Sequence, residues 1–384
     1  MKKSLSVLML FCMLLMLLPA AAFAAAAPVS VTVDGTAVKF TNAPVYKTNV
    51  TLVEAKTLAY KLGATYAYDT KAKVVKLTLG ATVVKLTVGS KTAYVNGEKK
   101  AIVIAPYVVN GYVITPAEIV VQSLGGLAKW DGVSKLVVTS PAAVTKLSKQ
   151  KALDTIQAYA AAIGKDDINA VKVLWLPSMW NADVEESVTD FFAPEQLTFS
   201  VKSSTITSYA GTKATIEAEF IVHSAEPNTI DELYAMTFEL AKDADGAWKL
   251  KSFSVDDFDY NIPAQPAKVS ADFAAEVNSA VKQVTDKLNT GDTASISTLF
   301  AANSKYADNI VEVWDAMASM FDLTYTASDA YIFQADEAKG TATALLTFDV
   351  QNNEDAYDSY SYEAVLFLSK GADGKWIINE WIEL

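Results

Sequence analysis

Residues 82–88 read TVVKLTV. Apolar and polar positions alternate there, which predicts a strand with one packed face and one wet face. Upstream the period changes. Leu52, Ala55, Ala59 and Leu62 recur at helical spacing, and Gly63 can end that helix in a left-handed cap. The same face returns as Ile114, Ala117, Val121 and Leu124, with Gly125 as the stop. In this second copy Thr115 can N-cap, Pro116 suits the first helical position, and Glu118 stands three residues after Thr115 as in a capping box.

The two helices belong to a longer repetition. Val33-Asp34-Gly35 returns as Val95-Asn96-Gly97, Ala43-Pro44 as Ala105-Pro106, Leu62-Gly63 as Leu124-Gly125, and Tyr68-Asp69 as Trp130-Asp131. Each pair is offset by 62 residues. One offset shared by unrelated residue types marks a duplicated unit, with copies over about 31–78 and 93–139. Asp-Gly and Asn-Gly supply the two positive-φ positions of a tight hairpin.

Segments 51–69 (TLVEAKTLAYKLGATYAYD) and 113–131 (VITPAEIVVQSLGGLAKWD) carry a resemblance to the copper amine oxidase N-terminal-like stalk domain, found in tandem on secreted proteins of Gram-positive bacteria. It covers 30–140 and implies antiparallel sheets with short helices. Three positions depart from the family pattern. Its arginines are Lys56 and Glu118 here, and Glu54 stands where proline is usual in copy one. The resemblance does not bring the oxidase with it. A copper site of that kind needs several imidazoles, and the only histidine is His223. The Asn-Tyr-Asp/Glu tripeptide that gives the quinone cofactor is also absent. No cofactor, metal or catalytic residue is expected.

Ahead of the repeat, Lys2 and Lys3 precede an apolar run that ends near Pro19, followed by AAAFAAAAP. This order predicts a secretory signal over 1–24, cut after Ala24. Cys12 lies within it, so the mature chain of about 360 residues would have neither disulfides nor thiol chemistry. Every basic residue is lysine, which removes planar bidentate recognition of phosphate or guanine. With a net charge of −12, nucleic acid is an unsuitable partner. The charge is uneven. Residues 28–147 hold 14 lysines against six acidic residues, net +8, whereas 148–384 carry net −22. Anionic wall polymers are therefore the expected partners of the basic part.

Residues 140–148 read as a linker. Beyond them the chain is written twice again. Helical patterns over 151–167, 168–178 and 183–193 precede strands at 197–209, 213–224, 232–242 and 247–258. After Pro263 and Pro266, helices at 272–292, 296–300 and 310–321 precede strands at 323–333, 340–350, 360–370 and 375–384. Asp245-Gly246-Ala247-Trp248 and Asp373-Gly374-Lys375-Trp376 align at an offset of 128, as do Tyr234 and Tyr362. Helices first, then an antiparallel meander, is an α+β order. The length, order and terminal D-G-x-W hairpin resemble the nuclear transport factor 2-like superfamily, which implies two cone-like domains, 148–262 and 268–384. A small molecule or a protein is the partner expected there.

Candidate chemistry is sparse. His223 could act as a general base if an acid oriented it inside a cavity. Asp243-x-Asp245-Gly246 begins like a calcium loop, but the twelfth position is Ser254 rather than glutamate. Asp256, Asp257 and Asp259 read as a solvated strand end. Tyr357, Tyr360 and Tyr362, beside Asp355 and Asp358, read as strand formers more than as a sugar-binding cavity. The expectation is a secreted, non-enzymatic envelope binding or scaffold protein. The alternative is an isomerase- or hydrolase-type enzyme working in a cone cavity.

Overall fold

A computed structural model describes residues 28–190, 197–291, 293–302, 304, 307–354 and 359–384. Residues 1–24, where a signal is expected, and Asp355, Tyr357 and Asp358 lie outside the described residues. The chain divides into two compact units, 1–151 and 152–384.

The first unit interleaves its two copies. A central sheet has the order β10 (Tyr107–Val109), β11 (Tyr112–Pro116), β4 (Val50–Glu54), β3 (Val45–Lys47). In it Val53 pairs with its own repeat equivalent, Thr115, while Leu52 pairs with Pro116 and Glu54 with Ile114. This register is that of a local two-fold axis through the Val53–Thr115 pair. Each outer sheet then takes hairpins from both copies. One has the order β12 (Leu127–Trp130), β13 (Lys135–Thr139), β1 (Ser30–Val33), β2 (Thr36–Ala37). The other runs β5 (Thr65–Asp69), β6 (Val74–Leu79), β7 (Thr82–Thr87), β8 (Thr92–Val95), β9 (Glu98–Ala101). Strand β7 has no repeat equivalent and lies between β6 and β8. The corresponding strands β13 and β1 meet directly and in parallel, the one departure from antiparallel pairing among these sheets. Helices α1 (Ala55–Lys61) and α2 (Ala117–Ser123) bury Leu58, Ala59, Val120 and Val121 in a core shared with Leu77, Leu86 and Leu136.

The repeat turns form as read: Asp34-Gly35 and Asn96-Gly97 all have positive φ. Their side chains also do equivalent work. Asp34 Oδ1 accepts from the Ser140 amide at 2.8 Å, and Asn96 Oδ1 accepts from the Val83 amide at 2.7 Å. A further pair of turns is equivalent without looking so. Asn110-Gly111 and Thr48-Asn49 stand 62 apart, and all four residues have positive φ. A β-branched threonine is costly there, by roughly 1–2 kcal/mol. Copying the second turn into the first, Thr48→Asn with Asn49→Gly, is expected to stabilise the first unit by about 1 kcal/mol. Urea unfolding measures this, and an unchanged or lower midpoint would refute it.

The capping box does not form. Thr115 is a strand residue, α2 has no side-chain N-cap, and the Thr115 hydroxyl is buried without a partner among the described residues. Glu118 instead reaches across the two-fold and accepts from the Thr51 amide with both oxygens, at 2.8 and 3.0 Å. Its repeat equivalent, Lys56, has no acceptor to offer an amide and lies 5.9 Å from the Tyr60 ring centre. At the departure from the family's proline, Glu54 is buried and accepts from Asn42 N (2.6 Å), Asn42 Nδ2 (2.9 Å) and Thr57 Oγ1 (2.6 Å).

Residues 141–148 are not a linker. Pro141–Ile163 is one helix, α3, and the Ser140 hydroxyl accepts from the Ala143 amide at its start. The second unit contains two modules of like order. In the first, α3, α4 (Ile168–Val173) and α5 (Ala182–Thr189) precede the meander β14 (Leu197–Tyr209), β15 (Lys213–Ser224), β16 (Glu232–Lys242), β17 (Trp248–Tyr260). In the second, α6 (Ala271–Asn289), α7 (Thr293–Ile296) and α8 (Ala307–Met320) precede β18 (Leu323–Ala327), β19 (Tyr331–Asp336), β20 (Thr341–Asn352), β21 (Tyr360–Lys370), β22 (Trp376–Glu383). The strand expected at 323–333 is broken into β18 and β19, both of which pair with β20. Each module has its own sheet and its own core. A smaller cluster, Ile230, Val365 and Phe367 with Tyr260, Ile262 and Phe333, joins them. Val365 and Phe367 point away from the second module's core residues Ala364, Leu366 and Leu368, so the back of its sheet is covered by the first module.

Candidate functional site

Strand β15 alternates faithfully. Ala214, Ile216, Ala218, Phe220 and Val222 face the core, and the intervening residues face outward. His223 falls on the outward set. Its side chain is 58% exposed, and Nδ1 lies 2.6 Å from Asp231 Oδ1. Asp231 sits at the start of β16's approach, where its carbonyl accepts from the Asn261 amide at 2.7 Å. The pair therefore stands outside the first module's interior. It lines a groove of about 710 Å³ at the seam between the modules, together with Asn261, Phe333, Gln334 and Asn379. The structure supplies an acid beside His223 but no enclosure around the pair.

The interiors are aromatic. In the first module Phe238 is packed by Tyr159, Phe220 and Phe253, with ring centres 5.5, 5.7 and 6.1 Å away. Burial pushes the Tyr159 hydroxyl well above its ordinary range. In the second, Trp381 is packed by Trp314 and Phe348 at 5.2 and 4.8 Å. Burial raises the Tyr325 hydroxyl to about 12, and Tyr362 is also held high, first by burial and then by Glu383. These phenols stay protonated across the physiological range and supply no base.

One hollow remains. Trp175, Met179, Val184 and Phe253, with Ser187 and Lys251, line about 450 Å³ in the first module. Trp175 is 4% exposed, and its indole N–H has no partner among the described residues. The modules differ here. Trp175 bridges to Leu250 as Phe300 bridges to Ile378, so the second module has a phenyl ring where the first has a donor.

The acidic candidates are explained by turns and strand pairs. Asp243 Oδ1 accepts from the Asp245 and Ala247 amides at 3.0 and 2.9 Å, which ties it into the hairpin turn. Asp256 accepts from Thr237 and Ser254, whose hydroxyls lower its carboxyl; Asp257 and Asp259 accept from the Phe258 and Tyr260 amides. Among the described residues no three His, Cys, Asp or Glu side chains converge as metal ligands. Tyr362 stacks on Phe348 at 5.3 Å within the core, while Tyr360 is exposed.

Residues 32–139 match the family model of the copper amine oxidase N-terminal domain, so the first unit carries that domain. No match is found among curated proteins. Similar solved structures include a ketosteroid isomerase-like protein from Erwinia carotovora atroseptica, at 14% identity over 29% of this chain and 95% of that one, with a TM-score of 0.23. A protein of unknown function with a cystatin-like fold from Nostoc punctiforme matches at 18% identity, over 30% and 93%, with a TM-score of 0.26. An Ntf2-like protein involved in plasmid conjugation matches at 9% identity, over 59% of this chain and 90% of that one, with a TM-score of 0.22. The α+β assignment of both modules rests on their own strand order.

Proposed function

We propose that this is an exported, non-enzymatic binding protein of the cell envelope, held near the wall by its basic first unit. The observation that carries this reading over an enzyme is the position of His223, on the outward face of β15 and apart from the aromatic interiors. General acid–base catalysis gains most where the base meets an enclosed substrate and water is excluded. The hollow beside Trp175, open to solvent and walled by Met179, Val184 and Phe253, suits holding a small molecule better than transforming one. The basic first unit supports attraction to anionic polymers, which acts over about a Debye length and weakens with salt. Fractionating cells and sequencing the N-terminus of the protein in the wall and culture fractions tests export. A start at Ala25 is expected, and a chain held in the membrane with Met1 retained would contradict it.

The 2.6 Å contact of His223 with Asp231 favours one second reading, an acid–base site in the seam groove. Asp231 would orient the ring, and Nε2 would face a substrate. Turnover of any ester, glycoside or enolisable ketone that is abolished by both His223→Ala and Asp231→Asn would establish it.

A further inference from the structure

The five-stranded outer sheet of the first unit carries a row of lysines that the fold does not require. Lys76 of β6 is paired directly with Lys85 of β7, Lys85 with Tyr94 of β8, and Tyr94 with Lys99 of β9. Directly paired residues share a face. The opposite face here is the core, with Val75, Leu77, Val84, Leu86 and Ala93 fully buried, so the row lies on the wet side. All three lysines are exposed. None makes an ion pair among the described residues, although the same strands hold one, Lys100 with Glu98.

Like charges directly opposite each other on neighbouring strands are destabilising. A sheet selected for stability alone would place an acid or a threonine at one of the two central positions. Edge protection accounts for Lys99, because β9 ends the sheet, but not for Lys76 and Lys85, which lie on interior strands. The internal duplication supplies a control. In the sister sheet the corresponding row reads Lys129, Val137, Thr32 and Ala37, with no strand equivalent to β7. The same scaffold is therefore built without the row. The one acid on that face of the neighbouring strand β5, Asp69, already accepts from the Lys71 and Ala72 amides.

We infer that this sheet face is the docking surface for a linear polymer of repeating phosphodiesters, the wall-linked polyol phosphate chain. The inference rests on the envelope reading above and locates it on one face. Strands in a sheet lie about 4.8 Å apart, so the three ammonium groups form a strip across four strands, with a tyrosine hydroxyl as a neutral donor within it. Lysine is a compact point charge that suits a flexible phosphate chain without shaped bidentate recognition. A bound polyanion would remove the repulsion between Lys76 and Lys85, so the cost in the free protein becomes a gain on binding.

The test uses the whole mature chain and three probes: inorganic polyphosphate, purified walls, and walls stripped of their phosphate polymer by hydrofluoric acid. The variant Lys76→Gln/Lys85→Gln/Lys99→Gln is set beside Lys39→Gln/Lys47→Gln/Lys129→Gln, which removes the same charge elsewhere on the first unit. The row variant is expected to lose at least 10-fold in affinity for polyphosphate and intact walls, with a log–log salt slope shallower by about 2–3. The control is expected to lose no more than about 3-fold, and stripped walls to bind neither. The single variant Lys76→Thr is expected to melt higher than the parent and bind less, a combination that damage to the fold cannot produce. Equal losses in the two triple variants would overturn the row while leaving wall attachment standing. Equal binding to stripped walls would overturn the phosphate polymer. A parent chain that binds none of the probes would overturn both the row and the attachment.

Discussion

Phe238→Ala is expected to lower the unfolding free energy of the second unit by about 4 kcal/mol, in the range seen for fully buried phenylalanines. Phe238 is fully buried at the middle of β16. It meets Tyr159 of α3 edge-on and Phe220 and Phe253 at tilted angles, so one side chain ties the helix layer to three strands. Removing the ring takes away buried area and leaves a cavity that three aromatic neighbours on fixed backbones cannot close. Urea unfolding gives the number, and a loss under about 1.5 kcal/mol would mean that the interior relaxes more freely than close packing allows. Because Val365 and Phe367 share a seam with Ile230, the transition is expected to involve both modules together.

The second large effect concerns a buried charge. Glu54 is 1% exposed, and its carboxylate holds the Asn42 amide, the Asn42 side chain and the Thr57 hydroxyl. Burial pushes its pKa up, and the donors from Thr57, Asn42 and the neighbouring backbone outweigh that, so the carboxyl ends below its ordinary 4.5. Glu54→Ala would strand these half-buried donors and is expected to cost about 3 kcal/mol. The pH dependence has a fixed sign. A carboxyl lowered in the folded state contributes stability that is fully present above its unfolded value and is lost as pH falls through the folded value. The gap between parent and Glu54→Gln is therefore expected to be steady above about pH 5 and to close toward pH 3. A gap that widens on acidification would show Glu54 to be held neutral, and the assignment of its partners would be wrong.

Local pattern was enough wherever the determinant was local. Strands β14, β15 and β16 fall where alternation placed them, and Gly246 and Gly374 turn their hairpins with positive φ. The 62-residue offset revealed the copies but not how they combine. The parallel β1–β13 pair joins residues over a hundred positions apart, and the antiparallel β4–β11 pairing is set by a symmetry that no single segment encodes. Glu118 was misread for the same reason: a glutamate three residues after a threonine fits a local capping box, while its actual donor, the Thr51 amide, is 67 residues away. Ser140-Pro141 was legible and missed, since an N-cap serine followed by proline is a helix start as much as a linker. His223 stood out in the sequence as the one imidazole. Its outward face follows from the alternation of β15, but Asp231 lies beyond a loop whose path the pattern does not give.

Cosedimentation of the whole mature chain with purified cell walls, across a salt series, tests the central claim most directly. The chain is expected to pellet with walls at low ionic strength despite its net negative charge, and to be released progressively as salt shortens the Debye length from about 30 Å at 0.01 M to about 8 Å at 0.15 M. A chain that stays in the supernatant at the lowest salt, or one that pellets equally at all salt concentrations, would contradict attachment through the basic unit.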